Sequence, residues 1–248
     1  MSLRHQARLR VAAGLRACRP CAVEGGRQGR LPLRFFALLT LAFSPAIAFA
    51  ATGGSVNVEI KDPKGAPVAD AVAWMTPLDS PPPAMTPPIE PAVITQADED
   101  FQPFVTAVVV GSRIRFPNND KVMHHVFSQS KAKPFEIPRY RGEPKDTILF
   151  DQPGVVALGC NIHDWMLAYV VVLATPYFAK SGGDGVVPLT GIPAGRYRLE
   201  VWHPRVKEMV TREVTVSATD VATQVIAVTL RPDKRIRRAP EAGAGAYK

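Results

Sequence analysis

One eight-residue stretch of this chain decides both its expected fold and its expected chemistry: Gly159-Cys160-Asn161-Ile162-His163-Asp164-Trp165-Met166. Apolar runs that resemble strands lie on either side, at Val155–Gly159 and Ala168–Ala174, so we expect the stretch to be a loop between two strands. Similar short runs, bounded by Gly, Pro, Asn and Asp, recur through the rest of the chain. No long segment has helical periodicity, and the sequence therefore predicts an all-β sandwich.

The stretch contains three possible metal ligands in the spacing C-x2-H-x2-M: a thiolate, an imidazole nitrogen and a thioether. Such soft and borderline donors suit copper, which must be stabilised as both Cu(I) and Cu(II). A blue-copper site has two histidines and one cysteine in a plane and a long axial methionine. Cys160, His163 and Met166 would supply three of these four ligands. Zinc is the alternative metal, but it seldom uses methionine.

Two adjacent histidines, His124 and His125, offer the missing ligand. They lie in a strand-like run that extends from Val122 to Gln129. Successive side chains of a strand point to opposite faces, so only one of the two histidines should face a metal. The residues alone leave open which one it is.

Taken together, the two motifs resemble the cupredoxins, especially the plastocyanin and amicyanin type, over about residues 92–174. In that type an aromatic or apolar strand ending in Asn leads, several residues later, into a His-x-Val segment that contains the first ligand, and a C-x2-H-x2-M loop completes the site. The family usually has Asn where this chain has His125, which keeps His125 as an alternative first ligand. The resemblance implies a Greek-key β-sandwich that holds one type 1 copper ion through four ligands: His124, Cys160, His163 and Met166.

The first 50 residues have the features of a secretory signal peptide. An arginine-rich start is followed by an apolar run, Leu33 to Phe49, and by small residues that predict cleavage after Ala50 and export to the periplasm. An uncleaved membrane anchor is the alternative, although the run is short for a membrane span. The leader holds 8 of the 30 basic and 1 of the 22 acidic residues, so the mature chain has 22 basic and 21 acidic residues and a net charge of +1. We therefore expect no nucleic-acid partner.

Cys160 is the one cysteine outside this leader, which contains Cys18 and Cys21. An unpaired cysteine in an oxidising compartment implies intermolecular pairing, a reactive thiol or a metal ligand. A buried core thiol is the simpler alternative, but the neighbouring His and Met favour a metal. The mature chain lacks the second cysteine of a binuclear copper centre and the extra histidines of copper enzymes, so we expect no enzymatic activity.

The segments on either side of the copper motifs resemble a second family, the carboxypeptidase regulatory-like, transthyretin-type sandwiches. The resemblance rests on a D-x-x-G-x-P-V turn at Asp62–Val68 and on a variant of L-P-x-G-x-Y-x-L at Ile192–Leu199. The copper domain would then be inserted into a split second sandwich, and the alternative is an appended sandwich. The expected divisions are a signal peptide (1–50), first strands of the second sandwich (51–80), a Pro-rich linker (81–91), the cupredoxin domain (92–176), the rest of the second sandwich (177–231) and a disordered tail (232–248).

The leading interpretation is a periplasmic copper protein that carries single electrons between redox protein partners, with no stable membrane span after signal cleavage. Trp165, beside His163, is a candidate for a docking patch. The alternative function is a non-redox exported module that binds or carries copper, and a third is a structural sandwich with a core cysteine. One of three asparagines is expected to brace the ligand loops by side-chain to backbone hydrogen bonds: Asn118, Asn119 or Asn161.

Overall fold

The computed structural model of this protein describes residues 53–235, which form 17 β-strands and no helix. The prediction of an all-β fold is therefore confirmed. The predicted signal peptide and residues 236–248 of the predicted tail lie outside the described residues. Within the described part, no helix is long and apolar enough to cross a membrane.

In chain order the strands are β1 (Gly54–Lys61), β2 (Val72–Pro77), β3 (Ala92–Val93), β4 (Thr95–Ala97), β5 (Asp100–Gln102), β6 (Val105–Val109), β7 (Ser112–Arg115), β8 (His124–Ser128), β9 (Phe135–Tyr140), β10 (Ile148–Phe150), β11 (Gly154–Gly159), β12 (Leu167–Leu173), β13 (Phe178–Lys180), β14 (Val186–Ile192), β15 (Gly195–Trp202), β16 (Val210–Val216) and β17 (Val221–Ala227). The strand-like runs at Val122–Gln129, Val155–Gly159 and Ala168–Ala174 lie within two residues of the bounds of β8, β11 and β12. The sheets that they form fall into a central unit and a flanking unit.

The central unit consists of β3 to β12. Its five-stranded sheet has the order β6-β12-β11-β8-β9, and its three-stranded sheet has the order β10-β7-β3. Alternate residues of β11, including Val156 and Leu158, are fully buried, as the period of two in a strand requires. They share one hydrophobic core with Phe116 and Phe150, and this core extends to Cys160.

The flanking unit is built from both ends of the described chain. Its sheets have the orders β14-β1-β17 and β13-β2-β15-β16. Strand β1 pairs antiparallel with β14 and parallel with β17, while β2 pairs with β13 and β15. These are the ladders that insertion of the central unit requires, since the chain leaves the flanking unit after β2 and returns at β13. The domain boundaries and the likeness to transthyretin-type sandwiches stay predictions.

An apolar junction joins the two units. Val72 of β2 packs in one buried cluster with Phe104, Val105 and residues of β12. At its margin the ring of Tyr169 lies edge-on to Trp202, with centroids 5.5 Å apart. Residues 81–91, the predicted linker, contain no strand. The central unit is therefore attached by side-chain packing as well as by the chain itself.

The sequence did not predict β9 or the β4–β5 hairpin. Strand β9 contains Pro138, which removes a backbone donor and normally argues against a strand. It is tolerated here because β9 is the edge strand of the five-stranded sheet. The β4–β5 hairpin is short and polar, so hydrophobic alternation gives no signal for it.

The turn after β15 holds a buried histidine in its neutral form. His203 is 4% exposed, and its Nδ1 accepts a hydrogen bond from the backbone N–H of Arg205 at 3.1 Å. Burial, and then the positive charge of Arg205, lower the pKa of His203 from 6.5 to about 4.

This pKa predicts a loss of stability in acid. The unfolded chain protonates His203 at its ordinary pKa, whereas the folded protein resists protonation until about pH 4. The contribution to stability is therefore complete above about pH 6.5 and declines as the pH falls towards 4. We expect His203→Asn, which keeps an acceptor for Arg205, to reduce the fall in the free energy of unfolding between pH 7 and about 4.5 in denaturant titrations. An equal fall in the free energy of unfolding for the parent and for His203→Asn would contradict the low pKa of His203.

Candidate metal centre

The candidate metal centre lies where β8 begins and β11 ends. These two strands are antiparallel neighbours, with Gly159 paired to Phe127. His124, the first residue of β8, and Cys160, the residue after β11, are therefore brought to the same end of the sheet. Strands β11 and β12 pair along their whole length, which makes residues 160–166 the hairpin loop that the sequence predicts.

Three of the predicted ligands meet at this end of the sheet. Nδ1 of His124 lies 3.2 Å from Nδ1 of His163, and one donor atom from each of His124, Cys160 and His163 lies within 4.8 Å of the others. Two nitrogen ligands bound about 2.0 Å from one ion at a near-tetrahedral angle would lie about 3.3 Å apart. The donor set and its spacing therefore fit a transition-metal ion.

Met166, the fourth predicted ligand, belongs to the same buried cluster as Cys160. It is 1% exposed. Its backbone N–H donates to the carbonyl oxygen of His163 at 3.1 Å, so the end of the loop folds back towards the histidine. Met166 therefore packs among the apolar side chains that also enclose Cys160.

The adjacent histidines of β8 face opposite ways. His124 is fully buried and contacts His163. His125 Nε2 lies 2.8 Å from Glu136 Oε1, and its ring stacks on Phe127 with centroids 5.4 Å apart. The structure therefore brings His124 to the cluster and directs His125 to the other face of the sheet.

Asn118 braces the segment that leads to His124. This side chain is buried, and its Nδ2 donates to the carbonyl oxygens of Val122 at 3.0 Å and Tyr140 at 2.8 Å. Its Oδ1 accepts the backbone N–H of Asp120 at 2.9 Å. Of the three asparagines considered as braces, Asn118 makes these bonds, which hold the loop against β9.

The sulfur of Cys160 lies in a protected environment. The residue is 6% exposed, and Sγ accepts the backbone N–H of Ile162 at 3.5 Å. A Cβ on Gly159 would lie only 3.0 Å from Cζ of Phe127, so the glycine allows this ring to cover the strand beside the thiol. Apolar cover and hydrogen bonding at sulfur are the factors that tune a copper–thiolate site.

Asp120 makes a contact with His124 that the sequence did not predict. Its Oδ2 lies 2.8 Å from His124 Nε2, and its carboxylate accepts the backbone N–H groups of Asp98 and Glu99 at 2.8 and 2.9 Å. Burial opposes ionisation of Asp120, but the bonds from Glu99, His124 and Asp98 outweigh it and lower the pKa. An Asp four residues before a histidine gives no signal of this contact in a loop.

His163 is the most accessible of the grouped residues, since it is half-buried. Three apolar side chains next to the histidines in sequence are exposed, by 44% at Val122, 46% at Met123 and 43% at Ile162. Trp165 is itself half-buried, with its ring centroid 5.1 Å from that of His163. The cluster is therefore closed on the core side and approachable through His163.

No protein-family model and no curated protein sequence matches the chain. Among solved structures, the copper-containing nitrite reductase from Thermus scotoductus SA-01 is 23% identical, with a TM-score of 0.33, over 40% of this chain and 25% of its own. A purple cupredoxin from Nitrosopumilus maritimus is 22% identical, with a TM-score of 0.30, over 33% of this chain and 99% of its own. A reduced mutant of amicyanin is 22% identical, with a TM-score of 0.32, over 41% of this chain and 98% of its own.

The chain spans a quarter of the length of the nitrite reductase. Each of these likenesses covers about two-fifths of this chain or less, and the TM-scores are low. The interpretation of the centre therefore rests on the geometry of its side chains.

The opposite orientations of the two histidines give a matched pair of variants. We expect His124→Ala to weaken Cu(II) binding by more than about 100-fold, beyond the 10- to 100-fold cost of losing an outer contact. His125→Ala, which removes a side chain from the opposite face, should retain affinity within a few-fold of the parent. Isothermal titration with Cu(II) measures both, and a larger loss in His125→Ala would contradict the assignment.

Proposed function

We propose that this protein is an exported type 1 copper protein that carries single electrons between redox partners. The observation that carries the proposal is the grouping of two imidazole nitrogens and one cysteine sulfur, with Met166 in the same buried cluster as Cys160. In the proposed site, His124, Cys160, His163 and Met166 would hold the ion. When bound, copper would supply a one-electron couple, and this donor set suits both of its oxidation states.

The positions and the burial of the proposed ligands favour electron transfer over copper carriage. His124 is the first residue of a paired strand, Cys160 directly follows β11, and Met166 directly precedes β12. All three are at most 6% exposed. Well-packed side chains resist displacement, so the residues would keep their positions when the charge of the site changes. Release of an ion to an acceptor would have to break its bonds to these buried residues.

The surface beside His163 supports docking of a protein partner. A half-buried ligand gives the shortest route from a buried site to the surface. Val122, Met123 and Ile162, which are close in sequence to His124 or His163, expose apolar side chains, and apolar area is a common feature of protein contact surfaces. We propose that a redox protein docks here, with Trp165 at the base of the patch. Its indole N–H is already used, since it donates to the carbonyl oxygen of Glu99 at 3.1 Å.

We also propose that the protein is exported to the periplasm. The composition of residues 1–50 supports it, as does a mature chain with one free, buried cysteine. A reduced thiol can persist in an oxidising compartment when it is enclosed by the fold and bound to a metal.

Addition of Cu(II) to the purified mature protein tests the function. We expect one equivalent to produce an intense visible thiolate-to-copper band that ascorbate bleaches and a mild oxidant restores. Cys160→Ser should lose the band because a hydroxyl is a poor donor to copper at neutral pH.

Two outcomes would oppose the proposal. Absence of the band in the parent would exclude a type 1 site. A band that bleaches but does not return, with Cu(I) retained tightly, would instead favour copper carriage.

A further inference from the structure

We propose that Asp120 is a positioning residue that fixes the orientation and tautomer of His124 and places a negative charge beside the metal centre. The inference rests on the proposed function, because it concerns the same copper site. Asp120 is not one of the four proposed ligands.

The contact between Asp120 and His124 determines where the imidazole proton lies. An ionised carboxylate can only accept hydrogen bonds, so at 2.8 Å from Asp120 Oδ2 the proton belongs on His124 Nε2. In the neutral ring, Nδ1 then carries a lone pair. Nδ1 is the atom that faces His163 at 3.2 Å, so the carboxylate orients the donor atom towards the metal centre.

Asp120 is itself held in place by the turn of the β4–β5 hairpin. The turn residues Asp98 and Glu99 both have φ of 55°, as a two-residue type I′ hairpin requires. Their successive N–H groups donate to the two oxygens of Asp120. Successive backbone N–H groups make a concave site for anions, and here the side chain of Asp120 is the anion. Its side chain is 15% exposed, so bulk water screens it little.

The same turn also contacts the second ligand loop. While the N–H of Glu99 donates to Asp120, its carbonyl oxygen accepts the indole N–H of Trp165 at 3.1 Å. The ring of Trp165 contacts that of His163. One turn residue therefore connects the segment before His124 to the loop that contains His163, and Asp120 is the link on the His124 side.

Two effects on the metal centre follow. Hydrogen bonding to a carboxylate raises the basicity of an imidazole ligand, and loss of such an outer contact typically costs 10- to 100-fold in metal affinity. A negative charge in a partly buried position also favours the more positive oxidation state of a nearby ion. Asp120 therefore strengthens binding of Cu(II) and lowers the reduction potential.

The first test compares two substitutions that remove the same charge. Asp120→Asn keeps the shape of the side chain, and we expect Cu(II) affinity to fall about 10- to 100-fold and the reduction potential to rise. Asp164→Asn is the control, because Asp164 is an exposed carboxylate beside His163 and solvent screens its charge. A shift in Asp120→Asn no larger than that in Asp164→Asn would overturn the proposal.

The second test needs no copper and no substitution at Asp120. Two-bond proton–nitrogen correlations in the metal-free parent, at about pH 8 where an ordinary imidazole is neutral, should show His124 protonated at Nε2. The signal is assigned by its loss in His124→Gln. Protonation at Nδ1 would refute the positioning role even if Asp120→Asn fails to fold. If the parent forms no thiolate band, the proposed function fails, while this measurement still decides whether Asp120 orients His124.

Discussion

The antiparallel contact between β8 and β11 is the constraint on which the candidate metal centre depends. Because the two strands run in opposite directions, the start of one and the end of the other lie at the same end of the sheet. His124 and Cys160, separated by 35 intervening residues, become neighbours in this way. The hairpin of β11 and β12 then returns His163 and Met166 to the same place. The packed core behind Leu158 holds these strands, so the donors are arranged by the fold itself.

The flanking unit packs against one edge of the same five-stranded sheet. The apolar junction involves β6 and β12, and β6 is an edge strand of the five-stranded sheet, at the opposite edge from β9. Covering that side protects backbone groups that would otherwise be open to pairing with other chains. The strands that carry the ligands, β8 and β11, lie away from this edge. The loops at their ends therefore lie away from the apolar junction.

The sequence predicts most of the strands and the four candidate ligands because each depends on local spacing. Alternation on a strand shows that only one of His124 and His125 can face the metal, and the cupredoxin resemblance favours His124, which is the histidine that the fold directs inwards. The contact of Asp120 with the β4–β5 turn has no such signal, because it depends on segments more than 20 residues apart. The edge position of β9, which tolerates Pro138, likewise follows from tertiary structure rather than from local pattern.

The most direct measurement of the central claim is copper X-ray absorption spectroscopy of the loaded protein in both oxidation states. A site built from His124, Cys160 and His163 predicts one short bond to sulfur and two to imidazole nitrogen in Cu(II), with the same three ligands and nearly the same distances in Cu(I). A coordination shell of nitrogen and oxygen alone would contradict the account. So would loss of the bond to sulfur on reduction, because Cys160 is buried and directly follows a paired strand.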